Sequence, residues 1–296
     1  MTLPLFQMGE DPGSSFVALL RQQGLGSLPL DVAAAPVAER GWQVRHGTTI
    51  AALRYSDGVV MAGDRRATEG HAIAHRRMDK VFAADRLSGI AIAGAAGLAQ
   101  EMVRLFQTQL EHYEKVEGST LSLEGKANQL GQLVRSNLPM AMEGLAVIPL
   151  FAGFDARQRT GRIFTYDVTG GRYEETDYHA TGSGGRDAKA TIKLGWSDTL
   201  TRDEAVELLV RALYEAADED SATGGPDPLR GIYPIVAVVD ANGFARLGEE
   251  EVASRFAAVL EVLDAEGSRR GRRAPSPDAD AAGPSAAPRR RGGRTS

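Results

Sequence analysis

Apolar and polar positions along the chain change period several times, and each change marks an element. Thr48 to Tyr55 (TTIAALRY) is apolar and β-branched and predicts a strand. Asp57-Gly58 is a two-residue hairpin signal, and Val59 to Ala62 returns as a second strand. Lys80 to Phe82 and Gly89 to Ala93 predict two further short strands. The period then lengthens. Leu98, Met102, Leu105, Phe106 and Tyr113 fall on one face of a helix that Gly118 ends. A second helical stretch spans Leu123 to Met142, with Leu130, Leu133, Val134 and Leu138 on one stripe; Pro139 kinks or ends it. Strands resume over Ala146 to Phe154, Arg162 to Val168 and Tyr178 to Thr181. Thr201 and Glu204 stand at capping-box spacing at the start of a helix from Asp203 to Ala217. Ile232 to Val239 and Phe244 to Leu247 flank Asn242-Gly243, a second hairpin turn. Two hairpins argue against an all-parallel sheet, and strands around two central helices with one late helix predict an α+β layered body.

The flanks lack such periodicity. Met1 to Gly47 holds Gly, Pro and Ala clusters (Asp11-Pro12-Gly13-Ser14-Ser15, Ala33 to Pro36) and only short apolar patches such as Phe16 to Leu20, so it reads as a leader outside the core. Residues 267–296 are rich in Arg, Pro and Gly and predict a disordered tail. The folded body is therefore expected over 48–266. Of the total net charge of −5 across 296 residues, the tail carries eight arginines against two aspartates, which leaves −11 on the rest. An acidic body argues against nucleic-acid binding, and the tail arginines read as a solvated run.

Composition removes several chemistries. The chain has no cysteine, which excludes a disulfide scaffold, a thiol nucleophile and a Cys-ligated metal. No apolar run is long enough to span a bilayer, and Met1 to Arg21 has no basic stretch followed by an apolar one, so a cytoplasmic protein with no membrane partner is expected. His46, His71, His75, His112 and His179 form no ligand pattern; His71 and His75 are four apart, but HExxH is absent, and no metal or cofactor is expected. Gly182-Ser183-Gly184-Gly185 lacks the G-x-x-x-x-G-K-[ST] pattern of a phosphate loop.

Candidate chemistry sits at the strand ends. Gly47-Thr48-Thr49 stands where the first strand begins, and by itself is a loop entering a sheet. Asp64 lies in Ala62-Gly63-Asp64-Arg65-Arg66-Ala67-Thr68, and Lys80 in Met78-Asp79-Lys80-Val81; alone, these are an ordinary ion pair joining two strands. Gly94 lies in Ile92-Ala93-Gly94-Ala95-Ala96-Gly97 just before the first helix. Ser183 and the segment Asp220-Ser221-Ala222-Thr223-Gly224-Gly225 follow.

In this order and at these spacings the motifs resemble a proteasome β subunit of the actinobacterial type, an N-terminal-nucleophile hydrolase, from about Thr48 to Glu266. The resemblance implies a four-layer αββα sandwich, with residues 1–47 as a propeptide. It implies a threonine endopeptidase in which cleavage of the Gly47–Thr48 bond exposes an α-amine, a group whose reference pKa is about 7.7–8.0, beside the Thr48 hydroxyl. One residue then supplies nucleophile and base. By the same resemblance Lys80 lowers the proton affinity of that centre, Asp64 holds Lys80, and the Gly94 N–H stabilises the oxyanion. Ser183, Asp220 and Thr223 are implied as supporting polar residues, Thr223 standing where the family usually has serine. Arg66, Thr68 and Ala96 are implied to shape the substrate channel, with Thr68 and Ala96 holding the peptide main chain as an added strand. Ala67, Met78, Phe82, Ile92 and Gln100 are implied to line an apolar pocket for the side chain before the cut bond; Met78, Phe82 and Ile92 read equally as core.

Implied partners are α subunits, further β subunits in seven-membered rings, a ring ATPase, and proteins tagged with a small ubiquitin-like modifier. The helices between Leu98 and Met142 are ring-to-ring surfaces or core. Three rival readings remain: the simpler bacterial protease of six-membered rings, an inactive structural subunit, and a nucleotide-binding α/β protein. The long leader and the Asp220–Gly225 segment disfavour the first, the presence of Thr48, Asp64 and Lys80 the second, and the missing phosphate loop the third.

Overall fold

A computed structural model of the protein describes residues 47–69 and 72–271. Residues 1–46 of the expected leader (1–47), including His46, together with His71 and residues 272–296 of the expected tail (267–296), lie outside the described residues. In chain order the first strands are β1 (Thr49–Tyr55), β2 (Gly58–Gly63), β3 (Ala67–Glu69), β4 (Ala72–His75), β5 (Val81–Asp85) and β6 (Ser88–Gly94). Three helices follow, α1 (Ala96–Glu117), α2 (Leu123–Ser136) and α3 (Leu138–Met142), then β7 (Val147–Asp155), β8 (Thr160–Tyr166), β9 (Arg172–Glu175) and β10 (Tyr178–Gly182). The last elements are α4 (Gly185–Gly195), α5 (Arg202–Glu219), β11 (Ile235–Asp240), β12 (Gly243–Arg246) and α6 (Glu249–Gly271).

The strands form two five-stranded antiparallel sheets, ordered β10-β1-β2-β11-β12 and β5-β6-β7-β8-β9, with β3 and β4 as a separate hairpin. Period-two alternation assigns each strand two buried faces. In the first sheet Ile50, Ala52, Val59, Met61, Ile235 and Ala237 point at the second sheet, where they meet Val81, Ala91, Ala93, Leu150, Ala152 and Ile163. The other face of the first sheet (Leu53, Val60, Val236) packs on α4, α5 and α6 through Ile192, Leu209 and Phe256. The other face of the second (Ile90, Phe151, Phe164) packs on α1 and α2 through Phe106 and Leu130. The result is a four-layer αββα sandwich. Met61 and Leu150 are fully buried between the sheets, and burial of such side chains contributes roughly 1.5–3 kcal/mol each.

Both hairpins form, but each turn sits one residue earlier than its dipeptide: Ser56-Asp57 and Ala241-Asn242 make the turns, and Gly58 and Gly243 open β2 and β12. Gly118 caps α1, Asn137 separates α2 from α3 just before Pro139, and Thr201 and Glu204 make a reciprocal capping box on α5. Three features differ from the sequence reading. The buried face of α1 is Ala99, Met102, Val103, Phe106 and Leu110, whereas Leu105 and Tyr113 are exposed. The hairpin β3–β4, strand β9, and helices α4 and α6 were not expected; β4 is exposed along its length and β9 reads Arg-Tyr-Glu-Glu, so neither shows alternation. Helix α6 continues to Gly271, past the expected body boundary at Glu266.

Candidate active site

The two sheets converge at one end of the sandwich. Asp64 is the first residue beyond β2 in one sheet, and Lys80 the last before β5 in the other. Lys80 Nζ donates to Asp64 Oδ1 at 2.6 Å and to the Arg66 carbonyl at 2.6 Å. Both side chains are buried, Lys80 at 1% and Asp64 at 0% exposure. A buried ion pair persists only when its remaining valences are filled. Here they are: Asp64 Oδ1 also accepts from the Thr49 N–H (2.8 Å), and Oδ2 from the N–H groups of Arg66 (2.8 Å) and Gly224 (2.9 Å). Burial pushes the Lys80 ammonium below the ordinary lysine range, against the opposing pull of Asp64.

This pair lies directly under the Gly47–Thr48 junction. Lys80 Nζ approaches the Gly47 carbonyl oxygen at 3.3 Å, and the Thr48 hydroxyl donates to that same oxygen at 2.7 Å. The Gly47 N–H is held by Thr68 Oγ1 at 3.0 Å. Behind the junction, the Thr48 N–H donates to Ser183 Oγ at 3.2 Å, and the Ser183 N–H donates to the Thr48 carbonyl at 2.8 Å. Ser183 Oγ donates in turn to Asp220 Oδ2, which also accepts from the Thr223 hydroxyl at 2.6 Å. Partial burial favours the neutral acid at Asp220. The hydrogen bonds from Ser183, Thr223 and the Ala222 N–H overcome it and hold the carboxyl below the usual range. Thr223 thus supplies a hydroxyl contact to Asp220.

Gly94 ends β6 beside Thr48 with φ +108°, a conformation that L side chains rarely adopt, and a Cβ there would lie 2.1 Å from the Ala146 carbonyl oxygen. The turn into α1 therefore requires glycine irrespective of any role for its N–H. Gly94→Ala should lower stability by about 1–3 kcal/mol or more, read as an earlier thermal unfolding transition.

A narrow cleft opens beside Thr48, walled by Ala67, Thr68, Met78, Ile92 and Ala96 together with Lys80 and Gly94. Its free interior is about 10 Å³, near the minimum for one water. Met78 and Ala96 also wall a larger cavity of about 680 Å³, in which Gln100 lies. Arg66 stands outside the cleft, its guanidinium donating to the Ser221 carbonyl at 2.8 Å. Phe82 lines neither space; it packs against the core beneath α1 and α2. Two residues that sequence reasoning did not single out also touch this centre. Thr49 holds Asp64 as above, and Ala222 presses on Gly47: a Cβ at residue 47 would lie 2.1 Å from Ala222 Cβ. Only the position of Thr49, a second hydroxyl opening an apolar strand, was a signal in the sequence.

Among the described residues no helix is long and apolar enough to cross a membrane. Residues 44–227 match the proteasome subunit family. The chain is 58% identical over 270 residues to the proteasome subunit beta of Acidimicrobium ferrooxidans, an alignment covering 91% of this chain and 97% of that one. It is 56% identical to the corresponding subunit of Acidothermus cellulolyticus (84% and 87% covered) and 54% identical to that of Streptomyces griseus (84% and 89%). With the four-layer sandwich and the paired Asp64 and Lys80 beneath Thr48, these similarities settle the assignment: the chain belongs to the proteasome subunit family, and within it to the β subunits.

Proposed function

We propose that the chain is the catalytic β subunit of a 20S proteasome core, a threonine endopeptidase made as a zymogen that removes its own leader by cutting Gly47–Thr48. One observation carries this reading: the Thr48 hydroxyl lies 2.7 Å from the Gly47 carbonyl oxygen, and the buried Lys80 ammonium reaches the same oxygen at 3.3 Å. Hydroxyl and polarising cation thus meet at the carbonyl of the bond to be cut.

With the leader attached, the Thr48 nitrogen is an amide and cannot act as a base. The hydroxyl attacks the Gly47 carbon while Lys80 stabilises charge on its oxygen. The C–N bond breaks, the hydroxyl proton ends on the Thr48 nitrogen, and an ester joins Gly47 to Thr48 Oγ1. Water hydrolyses that ester, releasing the leader as a carboxylate and restoring the hydroxyl. The freed amine, an α-amine and so a group able to act as a base, then takes the hydroxyl proton in each turnover and passes it to the leaving amine of the substrate. Ser183 holds the Thr48 nitrogen in place, and Asp220 and Thr223 hold Ser183. The apolar cleft of Ala67, Met78 and Ile92 favours cleavage after hydrophobic residues, while Thr68 holds the peptide main chain as it holds Gly47 here. The particle is read as seven-membered β rings capped by α rings, in the cytoplasm, with a ring ATPase feeding tagged, unfolded proteins.

The N-terminus of the purified assembled protein tests this. It is expected to begin at Thr48 and to carry label from a threonine-directed electrophile; an active particle with the 47–48 bond intact would overturn the mechanism. The junction also makes a finer prediction. A methyl group at residue 47 must displace the segment bearing Asp220 and Thr223, because Ala222 leaves it no room. Gly47→Ala should slow leader removal by roughly a hundredfold, followed as conversion of the full chain to the shorter one.

A further inference from the structure

Thr49 is fully buried at the head of β1, beside Ile50, Ala51, Ala52 and Leu53, all equally buried. A hydroxyl in such a setting is costly unless it is bonded. Here it is bonded twice. The Gly184 N–H donates to Thr49 Oγ1 at 3.1 Å, and Thr49 Oγ1 lies 2.6 Å from Thr223 Oγ1. The Thr223 hydroxyl spends its proton on Asp220, so the Thr49 hydroxyl is the donor in that contact. The protons therefore run one way, from Gly184 N–H through Thr49 and Thr223 to the Asp220 carboxylate. That carboxylate takes the Ser183 hydroxyl, and Ser183 takes the N–H of Thr48. The Thr49 backbone N–H meanwhile holds Asp64 at 2.8 Å.

We propose that Thr49 is a positioning residue for the Thr48 reaction: its hydroxyl fastens the two loops carrying Ser183 and Asp220 to the strand that carries the nucleophile. It lines no part of the cleft beside Thr48 and makes no contact with the Gly47 carbonyl, so it acts only through others. The inference rests on the reading of Thr48 as nucleophile and adds the means by which its nitrogen is held.

Thr49→Val keeps the branching that suits a strand and removes the hydroxyl alone. In the assembled particle, leader removal and kcat for a short peptide substrate should fall roughly ten- to hundredfold, with KM within about twofold because the cleft is untouched. Thr49→Ser should restore most of kcat, which a merely structural role for the branched side chain would not permit. Parental kcat in Thr49→Val, or loss confined to KM, overturns the proposal. Should Thr49→Val fail to assemble, Thr223→Val breaks the same link from the other loop and leaves β1 intact; parental kcat there is equally fatal. Thr48→Ala is run in parallel. Hydrolysis persisting in Thr48→Ala removes the nucleophile assignment itself, whereas an inactive Thr48→Ala beside a normal Thr49→Val strikes only the hydroxyl link.

Discussion

Thr48→Ala should yield a folded chain that keeps its leader indefinitely and hydrolyses no peptide above background. The substitution removes one hydroxyl whose bond goes to the Gly47 carbonyl, a loss of about 0.5–1.5 kcal/mol that a sandwich with three apolar cores can bear. Stability and processing should therefore separate: a thermal transition close to that of the parent, with a full-length band that persists for as long as the parent takes to convert completely. The removed hydroxyl is the group lying on the carbonyl that must be attacked, and among the described residues no other hydroxyl donates to that oxygen. Thr48→Ser is the complementary variant. It keeps the hydroxyl and loses the methyl group, so it should convert, more slowly, since a serine χ1 is less restricted than that of a β-branched threonine. Conversion of Thr48→Ala at the parental position, in a preparation free of other active subunits, would show that another agent makes the cut.

What the sequence disclosed follows from where its patterns are forced. The two hairpins were legible because Asp57-Gly58 and Asn242-Gly243 mark a reversal of the chain, although the loops themselves are Ser56-Asp57 and Ala241-Asn242, and the capping box of α5 because two side chains must satisfy two backbone groups at fixed spacing. The layering was less legible from periodicity. Strands such as β1 and β2 are buried on both faces, so their apolar runs do not say which residue meets a sheet and which a helix. On α1 the stripe drawn through Leu105 and Tyr113 lay beside the true one, where the small residue Ala99 and the β-branched Val103 complete the buried face. Residues of α4, such as Lys189, Thr191 and Lys193, dilute its apolar face of Ala188 and Ile192. The site itself was legible as an ordered set of motifs, yet no spacing shows that Asp64 and Lys80, on different sheets, meet at 2.6 Å. Nor does any pattern show that Ala222 closes on Gly47, a contact made by loops 175 residues apart in sequence.

The meeting of Asp64 and Lys80 sets the second large effect. Lys80→Met preserves length and apolar stem but removes the ammonium from both Asp64 and the Gly47 carbonyl. Leader removal and peptide hydrolysis should each fall by about a thousandfold or more, the loss expected when a group stabilising developing charge is deleted. The same change leaves a buried carboxylate without its cation, at a cost of about 3–5 kcal/mol. The Thr49, Arg66 and Gly224 N–H groups still reach Asp64, so the body should remain folded, with a clearly lowered transition. A drop in activity alone would not separate catalysis from stability. Lys80→Met combined with Asp64→Asn does so, because the neutral amide no longer needs a counter-charge. The double variant should recover much of the lost thermal stability and none of the lost turnover. If hydrolysis returns along with stability, Lys80 serves the fold and not the reaction. If stability returns and hydrolysis does not, the ammonium acts on the carbonyl it touches.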